Sequence, residues 1–162
     1  METSIRPAEE ADMKEVYRLI RELAVYEREP DAVEVTEQQL LRDGFGPDPK
    51  FRCFVAERDG GIVGMALIYP RYSTWKGPAI HLEDLIVTEE ARGLGVGSAL
   101  LTEVIRYASG QGVKRVCWEV LDWNEPAIDF YEARGARVLR DWDVVQLDEA
   151  GIEAYLKEYA SI

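Results

Sequence analysis

The chain has 162 residues, 47% hydrophobic and 31% charged, a balance that fits one globular domain over residues 1–162 and excludes a disordered chain. Its formal charge of −12, from 19 basic and 31 acidic residues, repels phosphate backbones and anionic lipid, so no nucleic acid and no membrane is expected as partner. The same charge suits a small cationic partner, and it equally suits solubility alone.

No apolar run reaches the length of a membrane span, and the N-terminus lacks the basic-then-apolar pattern of a secretion signal. A cytoplasmic location is therefore expected.

In chain order, Ile5-Arg6-Pro7 reads as a short strand. Met13, Val16, Tyr17, Ile20, Leu23 and Ala24 then recur at helical spacing, with Glu9, Glu10 and Asp12 at the helix N-terminus. Thr36 is placed to cap a short helix through Arg42, ended by Gly44-Phe45-Gly46-Pro47. Phe51 to Glu57 and Ile62 to Tyr69 read as a hairpin around Asp59-Gly60-Gly61. Arg71 to Pro78 reads as a loop and Ala79 to Val87 as a third long strand. After a Gly-rich turn, Leu100, Leu101, Val104, Ile105 and Ala108 mark a helix stopped by Gly110 and Gly112. Arg115 to Leu121 reads as a strand, Asn124 to Arg134 as a helix closed by Gly135, and Val144 to Leu147 as a last strand. The order β-α-α-β-β-β-α-β-α-β describes a mixed α/β domain.

Cys53 and Cys117 sit inside apolar strand-like runs and read as reduced, buried thiols. His81 is the only histidine, so no histidine-based metal cluster can form, and no metal is expected.

The strongest chemical signal is the turn Arg92-Gly93-Leu94-Gly95-Val96-Gly97-Ser98. Glycines on alternate positions strip side chains from the turn, so backbone N–H groups can close around an anion. The following helix start adds a positive dipole end, and Arg92 adds a cation. A pyrophosphate suits such a site. A P-loop would need a lysine before Ser98, and a dinucleotide fingerprint begun at Gly93 would need glycine at position 98.

Arg-x-x-Gly-x-Gly, from Arg92 to Gly97 on this strand-to-helix turn, resembles the GNAT acetyltransferase superfamily. Further segments resemble its spermidine/spermine acetyltransferase family: Leu19 to Glu27, Asp43-Gly44-Phe45-Gly46, Leu82-Glu83-Asp84 and Val120-Leu121-Asp122-Trp123-Asn124. Tyr72-Ser73-Thr74-Trp75-Lys76-Gly77 belongs to the same set, and it and Val120-Leu121-Asp122-Trp123-Asn124 resemble the thialysine Nε-acetyltransferase branch more than the polyamine branch. The resemblance runs from Ile5 to about Trp142. It implies a GNAT fold, a central mixed, largely antiparallel sheet flanked by helices, with acetyl-CoA as cosubstrate and a small cationic amine as acceptor. It also implies a homodimer.

By the same resemblance, the CoA pyrophosphate lies on Arg92, Gly93, Leu94, Gly95, Val96, Gly97 and Ser98. The pantetheine arm and the oxyanion lie on the backbone of Leu85, Ile86 and Val87. Asn124, Glu125, Pro126 and Ala127 also fall to CoA, and Tyr131 becomes the general acid toward the departing thiolate. Tyr26, Glu27, Ser73, Glu83 and Glu119 fall to the acceptor pocket. Ser73 stands where polyamine-specific relatives carry an acid, which favours an amino acid with a side-chain amine.

An alkyl ammonium titrates near about pH 10.4 and has no lone pair while protonated, so a base must take its proton. Glu83 is the residue for this, either as base or as charge partner of the cation. In a regular strand Glu83 and Asp84 point to opposite faces, and the site takes Glu83 alone. Polyamines, a protein N-terminus or lysine, and an aminoglycoside are the alternative acceptors. A non-catalytic CoA sensor and a nucleotide-binding regulator are the alternatives of other classes.

Overall fold

Cys53, Phe54, Val55 and Ala56 are all buried, which in a strand requires both faces to be covered. A computed structural model describes residues 2–160; Met1, Ser161 and Ile162, the ends of the expected 1–162 domain, lie outside the described residues. The chain divides into two compact units, Met1–Leu121 and Asp122–Ile162.

In the first unit β1 (Thr3–Pro7), β2 (Arg52–Arg58), β3 (Gly61–Ser73), β4 (Gly77–Val87) and β5 (Val116–Cys117) form one sheet in that order. Neighbours are antiparallel through β4, and β5 joins β4 in parallel. Helices α1 (Met13–Tyr26), α2 (Glu37–Phe45) and α3 (Val96–Gly110) cover the sheet. One core gathers Met13, Val16 and Leu19 of α1, Leu40 of α2, and Cys53, Val55, Met65, Leu67 and Ile86 of the sheet. Strand alternation sends Phe54 to the other face, where its ring meets Tyr107 of α3 edge-on at 5.9 Å. The expected α/β class and the sheet flanked by helices are both present.

Two stretches in this unit differ from the sequence expectation. The loop expected over Arg71 to Pro78 is mostly strand, since Arg71 pairs Ala79, Tyr72 pairs Pro78 and Ser73 pairs Gly77. Pro78 reads as a breaker, yet near the start of a strand its missing N–H can be tolerated. The strand expected over Arg115 to Leu121 pairs with β4 only at Val116 and Cys117, because its apolar run signals burial and not a ladder partner. On the β5 side, β4 therefore has no strand partner from Leu82 to Val87 among the described residues.

In the second unit, α4 (Glu125–Glu132) starts where Asn124 Oδ1 accepts the Ala127 N–H at 3.4 Å, with Pro126 in the first turn. It ends through the Ala136 N–H donating to the Tyr131 carbonyl at 3.2 Å, with Gly135 left-handed at φ 87°. The strand expected over Val144 to Leu147 is not formed: these residues have no ladder partner among the described residues, and Val145 is 92% exposed. A strand exists through pairing, which alternation in one chain cannot guarantee. A helix absent from the expected order follows, α5 (Glu149–Tyr159), capped by Asp148 Oδ1 accepting the Gly151 N–H at 2.8 Å.

Gly64 sits where β3 passes β4 and α3. A Cβ built there lies 2.8 Å from the Ile86 carbonyl oxygen and 3.1 Å from Leu100 Cδ1, so backbone as well as side chain would have to move. Gly64→Ala is expected to destabilise the fold by about 1–3 kcal/mol in urea unfolding, the usual range for overpacking; an unchanged midpoint would mean that β4 shifts freely.

Candidate active site

The β3–β4 ladder contains a bulge. Leu67 pairs Asp84 while its neighbour Ile68 pairs Leu82, so Glu83 is an extra residue on β4. Past the bulge, the alternation of β4 is reset by one. His81 pairs Tyr69 and Asp84 pairs Leu67, which puts both on the sheet face covered by α1. The Glu83 carboxylate reaches the same face, where Oε2 accepts the Tyr69 O–H at 3.0 Å and stands 3.4 Å from His81 Nε2. The Tyr69 and His81 rings lie 5.0 Å apart. Burial, reinforced by Glu83, pushes the Tyr69 phenol up to about 12, so it stays a donor across the physiological range.

The expectation that Glu83 and Asp84 point to opposite faces is therefore corrected. It assumed a regular pleat, and the bulge removes that premise. Burial pushes the Asp84 carboxyl up to about 7, with Glu83 and then Glu27 adding repulsion. Burial likewise raises Glu27, the residue just past α1. Glu119, two residues beyond β5, is close enough to raise the Tyr69 phenol. Four carboxylates from α1, β4 and the segment after β5 thus bear on one stretch of the sheet. A cation is the ligand such a wall favours.

The Gly-rich turn leads from β4 into α3. Gly93 and Gly95 are left-handed, at φ 75° and 82°, which an L side chain rarely adopts. A Cβ built on either has no atom within 4 Å, so the backbone and not crowding requires glycine there. Gly95 is the N-cap of α3 and carries no side chain to occupy the helix start. Val96, Gly97 and Ser98 are the first residues of the helix, and Leu94 is exposed between the two left-handed glycines. First-turn amides of a helix have no acceptor within it and favour an anion. Arg92 braces the turn: its Nε donates to the Val87 carbonyl at 3.0 Å, and its guanidinium lies 5.1 Å from the Tyr26 ring centroid.

The remaining expected residues are placed as follows. Leu85 and Val87 are half-buried and Ile86 is buried, all on the stretch of β4 that β5 leaves unpaired. Ser73 Oγ accepts the Trp75 and Lys76 N–H groups at 3.2 and 3.1 Å, and Arg115 Nη1 donates to it at 3.3 Å. The hydroxyl thus builds the β3–β4 turn. Tyr131 is half-buried in α4, with its ring edge-on to Phe130 at 5.4 Å, and Asn124, Glu125, Pro126 and Ala127 form the start of that helix.

Cys53 is buried and its thiol pushed up to about 12 by that burial, whereas Cys117, expected buried, is partly exposed. Sequence reasoning left out Tyr69, His81 and Asp84. The i, i+2 spacing of His81 and Glu83 was a usable signal; no residue pattern announces the bulge that brings in Asp84. Among the described residues no three His, Cys, Asp or Glu side chains group to hold a metal ion, and no helix is long and apolar enough to cross a membrane.

Comparison with known proteins bears on this geometry. The profile of the acetyltransferase (GNAT) family matches residues 13–136. The chain is 43% identical over 145 residues to the thialysine N-epsilon-acetyltransferase of Bos taurus, covering 85% of each. It is 40% identical over 139 residues to spermidine/spermine N(1)-acetyltransferase-like protein 1 of Homo sapiens, covering 82% of this chain and 20% of that protein. Among solved structures, an integron cassette protein from the mobile metagenome of V. cholerae matches with a TM-score of 0.80 at 22% identity, over 97% of this chain and 99% of that one; this is likeness of fold.

A carboxyl raised in the folded state binds its proton more tightly there than when unfolded. Stability from Asp84 is therefore complete below about pH 4, the unfolded value, and is lost as pH rises toward about 7. Asp84→Asn abolishes this loss, so the variant should gain stability over the parent as pH goes from 4 to 7 and hold that gain above. Urea unfolding at several pH values measures it; a difference independent of pH would show that Asp84 titrates like a surface carboxylate.

Proposed function

The chain belongs to the acetyltransferase (GNAT) family and is an N-acetyltransferase, and from that premise we propose that it moves the acetyl group of acetyl-CoA directly onto a primary amine of a small cationic acceptor, within a ternary complex. The acceptor is the side-chain amine of thialysine or of a related diamine or amino acid. The observation that carries this reading is the bulge of β4, which turns Glu83 and Asp84 toward the face shared with Glu27. Asp84, raised by burial and by Glu83 and Glu27, is relieved by an ammonium group.

In this reading Glu83 takes the proton from the acceptor ammonium, directly or through a water, and the freed lone pair attacks the thioester carbon. Tyr26, Glu27, Ser73 and Glu119 complete the acceptor pocket. Backbone N–H groups of Leu85, Ile86 and Val87 meet the oxyanion and the pantetheine arm along the unpaired stretch of β4. The turn from Arg92 to Ser98 holds the pyrophosphate; the open space beyond Gly93 and Gly95 fits that use. Asn124, Glu125, Pro126 and Ala127 contact CoA from the start of α4. Tyr131 returns a proton to the thiolate. No metal enters the scheme.

Residues 1–162 act as one functional domain in this proposal, and the family profile crosses from the first unit into the second. A cytoplasmic homodimer belongs to the same proposal. Exposed Trp142, Val144, Val145 and Leu147, together with Ile152 and Tyr155 of α5, supply apolar surface for a second copy.

Initial rates with acetyl-CoA and a panel of thialysine, ornithine, spermidine and an aminoglycoside test the acceptor, and highest kcat/KM with thialysine is expected. Tyr131→Phe should lower turnover by about two orders of magnitude with CoA binding retained, and Glu83→Gln should slow it most near neutral pH, where the amine is protonated. Gly95→Val should abolish CoA binding by forcing a β-branched residue into a left-handed position. No turnover with any amine, despite CoA binding, would return the chain to a CoA sensor. The proposed dimer is tested by light scattering, with twice the mass of 18.4 kDa expected; a monomer would reject it.

A further inference from the structure

Around Glu83 lies a chain of polar contacts that the proposed chemistry does not use. His81 is buried, with 7% of its surface exposed. Its Nε2 stands 3.4 Å from Glu83 Oε2, and its Nδ1 lies 3.5 Å from Arg71 Nη1 and 3.6 Å from Cys117 Sγ. Arg71 Nη1 also donates to Cys117 Sγ at 3.5 Å.

A guanidinium has donors and no acceptor. For Arg71 to satisfy its contact with the imidazole, Nδ1 must present a lone pair. A ring carrying one proton then holds it on Nε2, the nitrogen nearest Glu83. On the Glu83 carboxylate, Oε2 meets both Tyr69 O–H and His81 Nε2, and no donor among the described residues contacts Oε1. The two oxygens are therefore unequal: one is anchored and the other is presented.

We propose that Arg71 and His81 are positioning residues which fix the Nε2–H tautomer of His81, anchor Glu83 through Oε2, and leave Oε1 as the oxygen that meets the acceptor amine. Arg71 sets the tautomer, His81 transmits it, and Tyr69 supplies the second donor. Cys117 shares the Arg71 guanidinium with Nδ1, which keeps the arginine on that side of the ring. Bulge geometry makes the clamp useful, because an extra residue on a strand has no ladder position of its own to hold it. The catalytic consequence rests on Glu83 being the base; the tautomer does not.

Two measurements on the full, untagged chain test the clamp. His81 is the only histidine in the sequence, so nitrogen NMR of the labelled protein gives one pair of ring signals. The expected spectrum has Nδ1 unprotonated and Nε2 protonated at pH above the imidazole titration, and Arg71→Met should mix the tautomers. A dominant Nδ1–H form in the parent protein overturns the proposal.

The second is a kinetic cycle. His81→Phe should lower kcat by about tenfold to a hundredfold, the scale of a misplaced reacting group, while KM for acetyl-CoA stays unchanged. His81→Gln, which keeps a donor at the ε position, should recover most of the loss, and His81→Asn should not. Placed on Glu83→Gln, the His81→Phe change should cause no further loss. Multiplicative losses in the double variant would overturn the clamp while leaving Glu83 as base. A Glu83→Gln enzyme with parental kcat would instead overturn the base, and the NMR result would still decide the tautomer.

Discussion

Insertion of a single residue into the β3–β4 ladder governs the inner face of this molecule. Before the bulge, His81 faces α1 and Leu82 faces α3; after it, Asp84 and Ile86 face α1. A regular strand would have sent Asp84 and Ile86 toward α3. The same reset therefore completes the core with Ile86 against Met65 and brings a carboxylate under the end of α1. Packing opposes loss of the bulge, since a regular pleat would turn Ile86 out of the α1 core and every residue beyond it with it. Burying Asp84 is costly, as its carboxyl at about 7 records, and the apolar contacts of Ile86, Met13, Val16 and Leu19 offset that cost.

That unfavourable electrostatics is where structure and chemistry meet. Glu83 and Glu27 raise Asp84, and Glu83 and Glu119 raise their neighbour Tyr69. In the proposed function, an ammonium among them would lower the free energy of the ionised forms, so its binding would draw on the repulsion between the acids. Tyr69 and His81 contribute donors without adding negative charge. Arg71 on β3 faces the imidazole and Cys117. The arrangement keeps the acids available to a ligand and does not neutralise them internally.

Much of this was legible from the residues. The strand, hairpin and helix order through α4 followed from apolar periodicity and turn residues, and the Gly-rich turn announced itself through Gly93 and Gly95. Asn124 as cap and Pro126 in the first turn fit the helix start expected at Asn124. The missed parts share a physical cause, dependence on pairing between distant segments. The bulge at Glu83 exists only in the register between β3 and β4. Val144 to Leu147 carries strand-like residues and finds no ladder partner among the described residues. Arg115 to Leu121 has a strand pattern, but only two of its residues pair. By contrast α5 was readable: Asp148 is a cap, and Ile152, Tyr155, Leu156 and Tyr159 keep helical spacing.

The proposed pyrophosphate turn and the acid wall are carried by one strand. Glu83 and Val87 lie four positions apart on β4, and the Val87 carbonyl accepts the Nε–H of Arg92, which also stacks on Tyr26 at the end of α1. The end of α1 likewise carries Glu27 beside Asp84. The contact through Arg92 thus ties to the strand the same helix end at which Glu27 and Asp84 repel each other. A displacement of the turn would pull on the helix end that bounds the acids, and a shift in the bulge would move the carbonyl that braces the turn. Distance between a donor carrier and its acceptor matters at the scale of about 1 Å, and a shared strand holds such a distance without any loop having to close.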